Sequence, residues 1–249
     1  MGVLNRAGKS ALLQIRKTMK IFTRLDREVL SSRYLKGTGI EIGGLHNPLR
    51  VPKGATVKYV DRMTVTDLRK HYPELASEKL TDVDIIADGE TLSTIGDCTQ
   101  DFVIANHFLE HCENPILALE NMFRVMKTGG VLYLGIPDKR FTFDSGREVT
   151  SFDHCLRDYR EGPAWSREGH FHDWVVTVDN TPEKDKAAQR VKELMAMNYS
   201  IHYHVWTQTE MMQLLLGMRE ATSVLFDLDA FLMNEGEAIF ILRKTGIPA

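Results

Sequence analysis

Five short apolar runs punctuate the chain after Gly37, at 39–43, 57–60, 83–87, 102–105 and 131–136. Their β-branched and aliphatic residues follow one another without polar alternation, the pattern of strands covered on both faces of a parallel sheet. Between the fourth and fifth runs lies a helix with clear punctuation: Asn114 can cap it, Pro115 suits its first position, and Gly129-Gly130 is expected to end it. Thr207-Gln208-Thr209-Glu210 is a capping-box sequence that opens another helix rich in Met and Leu. Two last strands, at 224–231 and 238–242 with Asn234-Glu235-Gly236 between their cores, predict a closing antiparallel hairpin.

Two stretches break this alternation. Residues 141–205 are rich in His, Asp, Arg and aromatics, with one charged helix expected at 181–197, and read as an insertion after the fifth strand. Residues 1–36 carry Leu12, Ile15, Met19, Phe22, Leu25 and Val29 at three- and four-residue steps, an amphipathic helix that either packs on the main domain or lies on an anionic membrane surface. The expected organisation is a basic helical extension, 1–36, and one α/β domain, 37–249.

Composition sharpens that division. The 249 residues are 43% hydrophobic and 26% charged, close to a globular average, with a formal net charge of −3. Residues 1–36 hold nine basic and two acidic side chains, a net of +7, so the remaining 22 basic and 32 acidic residues leave the body at −10. An acidic body repels phosphate, so nucleic acid is not expected as a substrate. No apolar run approaches the ~18 residues of a membrane span, and no secretory signal is read at the N-terminus. Cys98, Cys112 and Cys155 lack any CxxC spacing, which suggests neither a disulfide framework nor a cysteine metal site and favours a cytoplasmic setting, peripheral to the inner face of the membrane if the basic helix docks there.

The chemistry gathers at strand ends. The first strand closes in Gly39-Ile40-Glu41-Ile42-Gly43-Gly44 and the second in Tyr59-Val60-Asp61-Arg62, with 20 positions from Glu41 to Asp61. A Gly-rich turn lets a ligand approach the backbone, and an acid about 20 residues on can accept hydrogen bonds from ribose hydroxyls. A nicotinamide dinucleotide requires Gly-x-Gly-x-x-Gly, which Gly43-Gly44-Leu45-His46-Asn47 does not supply. Glu41 is placed either to reach an amino group or to order the glycine loop.

These motifs, with Ala87-Asp88-Gly89, the run from Asp101 to His111 and the run from Arg124 to Asp138, resemble in order those of class I S-adenosylmethionine-dependent methyltransferases, over roughly residues 37–138. The resemblance implies a Rossmann-like, doubly wound seven-stranded sheet with the last strand antiparallel, and S-adenosylmethionine as cofactor. It implies that Glu41, Gly43 and Gly44 line the methionine end, Asp61 holds the ribose, Arg62, Asp88 and Gly89 meet the adenine, and Asn106 and His107 lie under the sulfonium. Two departures stand out: Leu45 and Asn47 occupy positions where such enzymes usually have Gly, and Pro48 and Pro52 leave room for only a turn or so of helix.

The Asn/Asp-Pro-Pro-Tyr that the resemblance links to amino-group methylation does not follow the fourth strand, so oxygen is the acceptor expected. An alcohol needs a general base or a metal that acidifies it. The segment after strand five offers Asp138, Arg140, Asp144, Asp153, His154, Asp158, His170, His172 and Asp173, with His202 and His204 beyond. His154 is the expected base, with His111 second and Asp138 third. Arg140, His170, His172 and Tyr203 are expected on the acceptor. A divalent cation suits His and Asp together, but no spacing fixes a ligand set. Glu-Ile-Gly-Gly-Leu-His-Asn-Pro-Leu and Pro-Asp-Lys-Arg-Phe-Thr-Phe-Asp are similar to methyltransferases of bacterial polysaccharide or glycan assembly, which implies a small-molecule or sugar hydroxyl. The competing expectation is a catalytically inactive methyltransferase-like partner in a membrane-associated assembly.

Overall fold

A computed structural model describes residues 25–72 and 77–246. Seven strands form one sheet in the order β3-β2-β1-β4-β5-β7-β6. β1 (Gly37–Ile42), β2 (Ala55–Asp61), β3 (Ile85–Ile86), β4 (Gln100–Asn106) and β5 (Met126–Pro137) run parallel. β6 (Phe226–Asn234) and β7 (Glu237–Lys244) form the closing hairpin, and β7 slots antiparallel between β5 and β6. This is the Rossmann-like seven-stranded sheet with an antiparallel last strand that the resemblance implied, and the apolar runs form its parallel strands.

The absence of alternation in those runs has its reason in the core. Val103 and Ala105 point into one buried layer with Leu119, Met122 and Leu215, while Phe102 and Ile104 point into the other with Leu30, Leu49 and Tyr133. Helix α1 (Arg27–Tyr34) contributes to the second layer, and α2 (Val65–His71) follows β2. α3 (Pro115–Val125) is capped by the Asn114 side chain, which accepts the Leu117 amide at 3.1 Å.

The chain departs from its predicted elements in three places. First, α3 ends at Val125, and Gly129-Gly130 lies inside β5. Gly129 takes a φ of +82°, and a Cβ on Gly130 would stand 2.8 Å from the Lys127 carbonyl oxygen, so these glycines serve a close backbone approach within the strand. Second, Asp26 is an extended N-cap whose carboxylate accepts the Val29 amide at 3.0 Å, so a helix running through residue 29 is interrupted there. Leu25 and Val29, expected on the apolar stripe, are exposed, whereas Leu30 and Leu35 are buried. Leu12, Ile15, Met19 and Phe22 lie outside the described residues. Third, the insertion contains α4 (Phe152–Glu161), α5 (Arg167–Thr177) and α6 (Lys184–Ala196), where one helix was expected. The buried side chains of α4 are Cys155 and Asp158, so a search for aliphatic periodicity passes it by.

α5 and α6 share a small core of their own, built on Phe171, Val175, Val191 and Leu194 with Ile201 and Tyr203 from the returning chain. That chain then enters α7 (Gln208–Ala221) through the predicted capping box, with the Thr207 amide donating to Glu210 at 3.0 Å. No helix among the described residues is long and apolar enough to cross a membrane.

Candidate active site

The carboxyl ends of β1, β2, β3 and β4 converge on one edge of the sheet, where ligands bind in open α/β folds because the order of strands diverges there. A cavity of about 350 Å³ opens between them. Its walls include Gly43 after β1, Asp61 and Arg62 at the end of β2, Asp88, Gly89 and Glu90 after β3, and His107, Phe108 and His111 after β4. A second cavity of about 790 Å³ adjoins it and is lined by Arg27, Gly44, Asn106, Phe141, Asn234 and Glu237, among others. The two share Gly43, Leu45, His46, His107 and His111 as a common wall.

The glycine loop is shaped by sequence and by one buried acid. Gly43 has a φ of +66°, and a Cβ there would face open space except for Phe108 at 4.0 Å. At Gly44 it would crowd Tyr59 at 3.0 Å. Leu45 also takes a positive φ, 41°, so the backbone here follows a glycine-like course although the residue is Leu. Between Gly43 and Gly54 the chain makes turns and no helix, as Pro48 and Pro52 require. Both Glu41 oxygens accept the Leu49 amide, at 2.9 and 3.2 Å, and burial pushes this carboxyl up to about 7. Glu41 thus orders the loop from beneath and does not line either cavity.

Around the smaller cavity the polar groups are preset. Burial raises the Asp61 carboxyl, although the Arg62 and Met63 amides partly counter this. The Arg62 guanidinium donates to the Tyr72 hydroxyl at 2.8 Å, and its charge also partly offsets the burial of Asp61. Asp88 accepts the Glu90 and Thr91 amides at 3.0 and 2.9 Å, which fixes the turn after β3. A Cβ on Gly89 would meet the Phe108 ring at 2.5 Å, so only glycine lets that ring pack behind the cavity.

The shared wall carries charge-coupled groups that spacing alone does not join. His107 Nε2 lies 3.0 Å from Glu237 Oε2, and Glu237 is held by Arg27 through two hydrogen bonds and by Asn234 at 2.8 Å. Burial opposes ionisation of Glu237, but these partners outweigh it and pull the carboxyl down to about 2. Burial would lower His107, yet Glu237 and Glu110 more than compensate, and its pKa is raised. His111 is driven the other way, down to about 3, by burial and the neighbouring His202 ring, with Nδ1 against the Ile201 carbonyl at 2.9 Å. Asn106 presents an amide with no hydrogen-bond partner on either atom.

Of the expected acceptor-side residues, only His111 lines the cavities. Asp138 is fully buried, and its carboxylate is spent on the Arg140 amide and guanidinium at 2.6 to 3.0 Å. His154 and His170 lie inside the insertion with Nε2 atoms 3.0 Å apart, His172 is exposed, and the Tyr203 hydroxyl donates to Glu113 at 3.1 Å. Arg27, Glu90, Glu110 and Glu237 escaped the sequence reading. The acid within His107-Phe-Leu-Glu-His111 and a charged residue opening the apolar strand β7 are the signals that point to the last two.

Residues 50–134 match the family model of a methyltransferase domain. An uncharacterized protein of Methanocaldococcus jannaschii is 33% identical over 120 residues, 48% of this chain and 54% of that protein, so the likeness spans about half of each. Among solved structures, a SAM-dependent methyltransferase from Aquifex aeolicus is 14% identical with a TM-score of 0.46, covering 88% of both chains. A SAM-dependent methyltransferase from Methanosarcina mazei is 18% identical with a TM-score of 0.42, covering 90% of this chain and 96% of that one.

Proposed function

We propose that this chain is an S-adenosylmethionine-dependent methyltransferase that transfers the methyl group to a hydroxyl oxygen of a small molecule or sugar. The observation that carries the reading is the pair of adjoining cavities that meet at Gly43, His107 and His111. One has the walls of a nucleoside site and the other those of a polar acceptor site.

The residues fit the cofactor. The open space at Gly43 admits a ligand against the backbone at the wall the two cavities share. Asp61 holds the ribose hydroxyls, Asp88 and Gly89 border the adenine, and Arg62 braces that end through Tyr72. Glu41 acts through the loop it orders. When bound, S-adenosylmethionine supplies a methyl group on a positively charged sulfur, ready for in-line displacement.

The role of general base falls to His107 in place of His154. With Nε2–H donating to Glu237, the other ring nitrogen carries the lone pair that takes the acceptor's proton, and the Glu237 charge stabilises the resulting imidazolium. His111 stays neutral beside it. Phe141, exposed at the mouth of the larger cavity, offers an apolar face to a sugar ring among polar neighbours, which supports a sugar as acceptor.

The test is transfer of a labelled methyl group to a panel of sugars and other hydroxyl compounds by the purified chain, with cofactor affinity measured by calorimetry. Product methylated on oxygen, and a turnover lost in His107→Ala with cofactor affinity intact, is the expected result. Methylation on nitrogen or carbon would overturn the acceptor assignment, and full turnover by His107→Ala would overturn the base.

A further inference from the structure

Away from both cavities, the insertion gathers His154 and Asp158 from α4, His170 from α5 and His204 from the chain leading into α7, with one ligand-type atom from each lying within 4.8 Å of all the others. His154 Nε2 is 3.0 Å from His170 Nε2 and 3.3 Å from Asp158 Oδ2, and His204 Nε2 is 3.7 Å from the same oxygen. A tetrahedral zinc with ligands at about 2.0–2.2 Å separates them by about 3.3–3.6 Å, so these three separations lie within about 0.3 Å of that spacing.

The hydrogen bonding of the cluster is incomplete without a cation. Asp158 is fully buried, and its Oδ2 has no hydrogen-bond partner, while His204 Nε2 makes only a long 3.4 Å contact to the Glu113 carbonyl. A single proton serves the contact between His154 and His170 and leaves the carboxylate oxygen facing ring nitrogens. A buried carboxylate is ordinarily paired or bound to a metal. The supporting contacts are those of a metal site as well: Ser166 donates to Asp158 Oδ1 at 2.8 Å, fixing the carboxylate with its other oxygen turned inward.

We propose that His154, Asp158, His170 and His204 form a four-ligand zinc site that ties α4 to α5 and to the chain entering α7. Four protein ligands complete a tetrahedral shell, the arrangement of a structural rather than a catalytic zinc. The site joins α4, whose Cys155 lies in the core of the sheet domain, to α5, whose core is separate, and the chain that carries His204 adjoins the cavity wall. The Tyr203 and His204 amides donate to the Glu110 carbonyl at 2.8 and 3.3 Å, and Ser200, just upstream, lines the nucleoside cavity.

The full-length chain, stripped with chelator, is titrated with zinc alone and followed by calorimetry and melting. The expected result is one equivalent bound and a melting temperature that rises with zinc. Both effects should be lost in Asp158→Asn, which keeps the side-chain volume, and in His170→Gln, while Ser166→Ala should weaken zinc binding by about 10-fold. His202→Ala, in the separate Glu110-His111-His202 cluster, should still bind one equivalent. No stoichiometric zinc in the wild type, or zinc retained in Asp158→Asn and His170→Gln but lost in His202→Ala, overturns the proposal. The stoichiometry is read without turnover, so failure here leaves the methyl-transfer reading untouched.

Discussion

Replacing Asp61 isolates the nucleoside half of the site. The carboxylate stands at the end of β2, half-buried, with its pKa raised by burial despite the Arg62 and Met63 amides. A ribose diol would give it two charge-assisted hydrogen bonds, each worth roughly 1.5–3 kcal/mol. Losing both in Asp61→Ala therefore costs about 3–6 kcal/mol, or about 100- to 10,000-fold in the dissociation constant for S-adenosylmethionine. Asp61→Asn keeps the size and one acceptor oxygen but removes the charge, and is expected near 10-fold. Calorimetry on both variants reads the affinities, and thermal unfolding by circular dichroism reads the loss of the turn contacts that Ala also causes. If both variants fold and Asp61→Ala binds within about threefold of the wild type, Asp61 does not hold the ribose.

At the shared wall, Glu237→Gln removes the charge that raises His107, so the rising limb of the pH–rate profile should shift to lower pH as kcat falls by about 100-fold; an unmoved limb would exclude His107 as the titrating base. Beneath the loop, the Glu41 carboxyl titrates near 7 in the fold against an ordinary value of 4.5, so the folded state holds its proton more tightly. Its contribution to stability is complete below pH 4.5 and is lost as pH rises toward 7, about 3 kcal/mol in all. Urea unfolding at pH 5 and pH 8 should show a smaller fall for Glu41→Gln than for the wild type. Gly89→Ala would drive a methyl group into the Phe108 ring and Ile42, costing about 1–3 kcal/mol and narrowing the cavity; a variant with unchanged stability and cofactor affinity would show that the ring yields freely.

The sheet was legible because its signal is local and repeated. Phe102–Val103–Ile104–Ala105 must be apolar throughout, since β4 is central and each face meets a separate core layer. Strand ends were legible for the same reason: Gly43, Asp61 and Asp88 sit where an apolar run stops, and the topology aligns those stops on one edge. The helix caps at Asn114 and Thr207 also follow from neighbours a few residues apart. Within the insertion, α6 falls on the one helix expected, whereas α4 resisted because the residues it turns inward are not aliphatic. Aliphatic periodicity cannot register α4, whose buried positions are Cys155 and Asp158.

By itself, then, the sequence determined the parallel core, the closing hairpin, the strand-end ligand edge and the richness of the insertion in metal- and proton-binding residues. The tertiary structure alone decided which of those residues meet. His107 and Glu237 are 130 positions apart and touch because β7 inserts beside β5. His154, nominated from composition, is drawn away from the cavities to His170 and His204 by the packing of α4 and α5. Hydrophobic periodicity acts over a few residues and survives in the sequence, whereas a charge pair or a ligand shell depends on distances that chain topology sets.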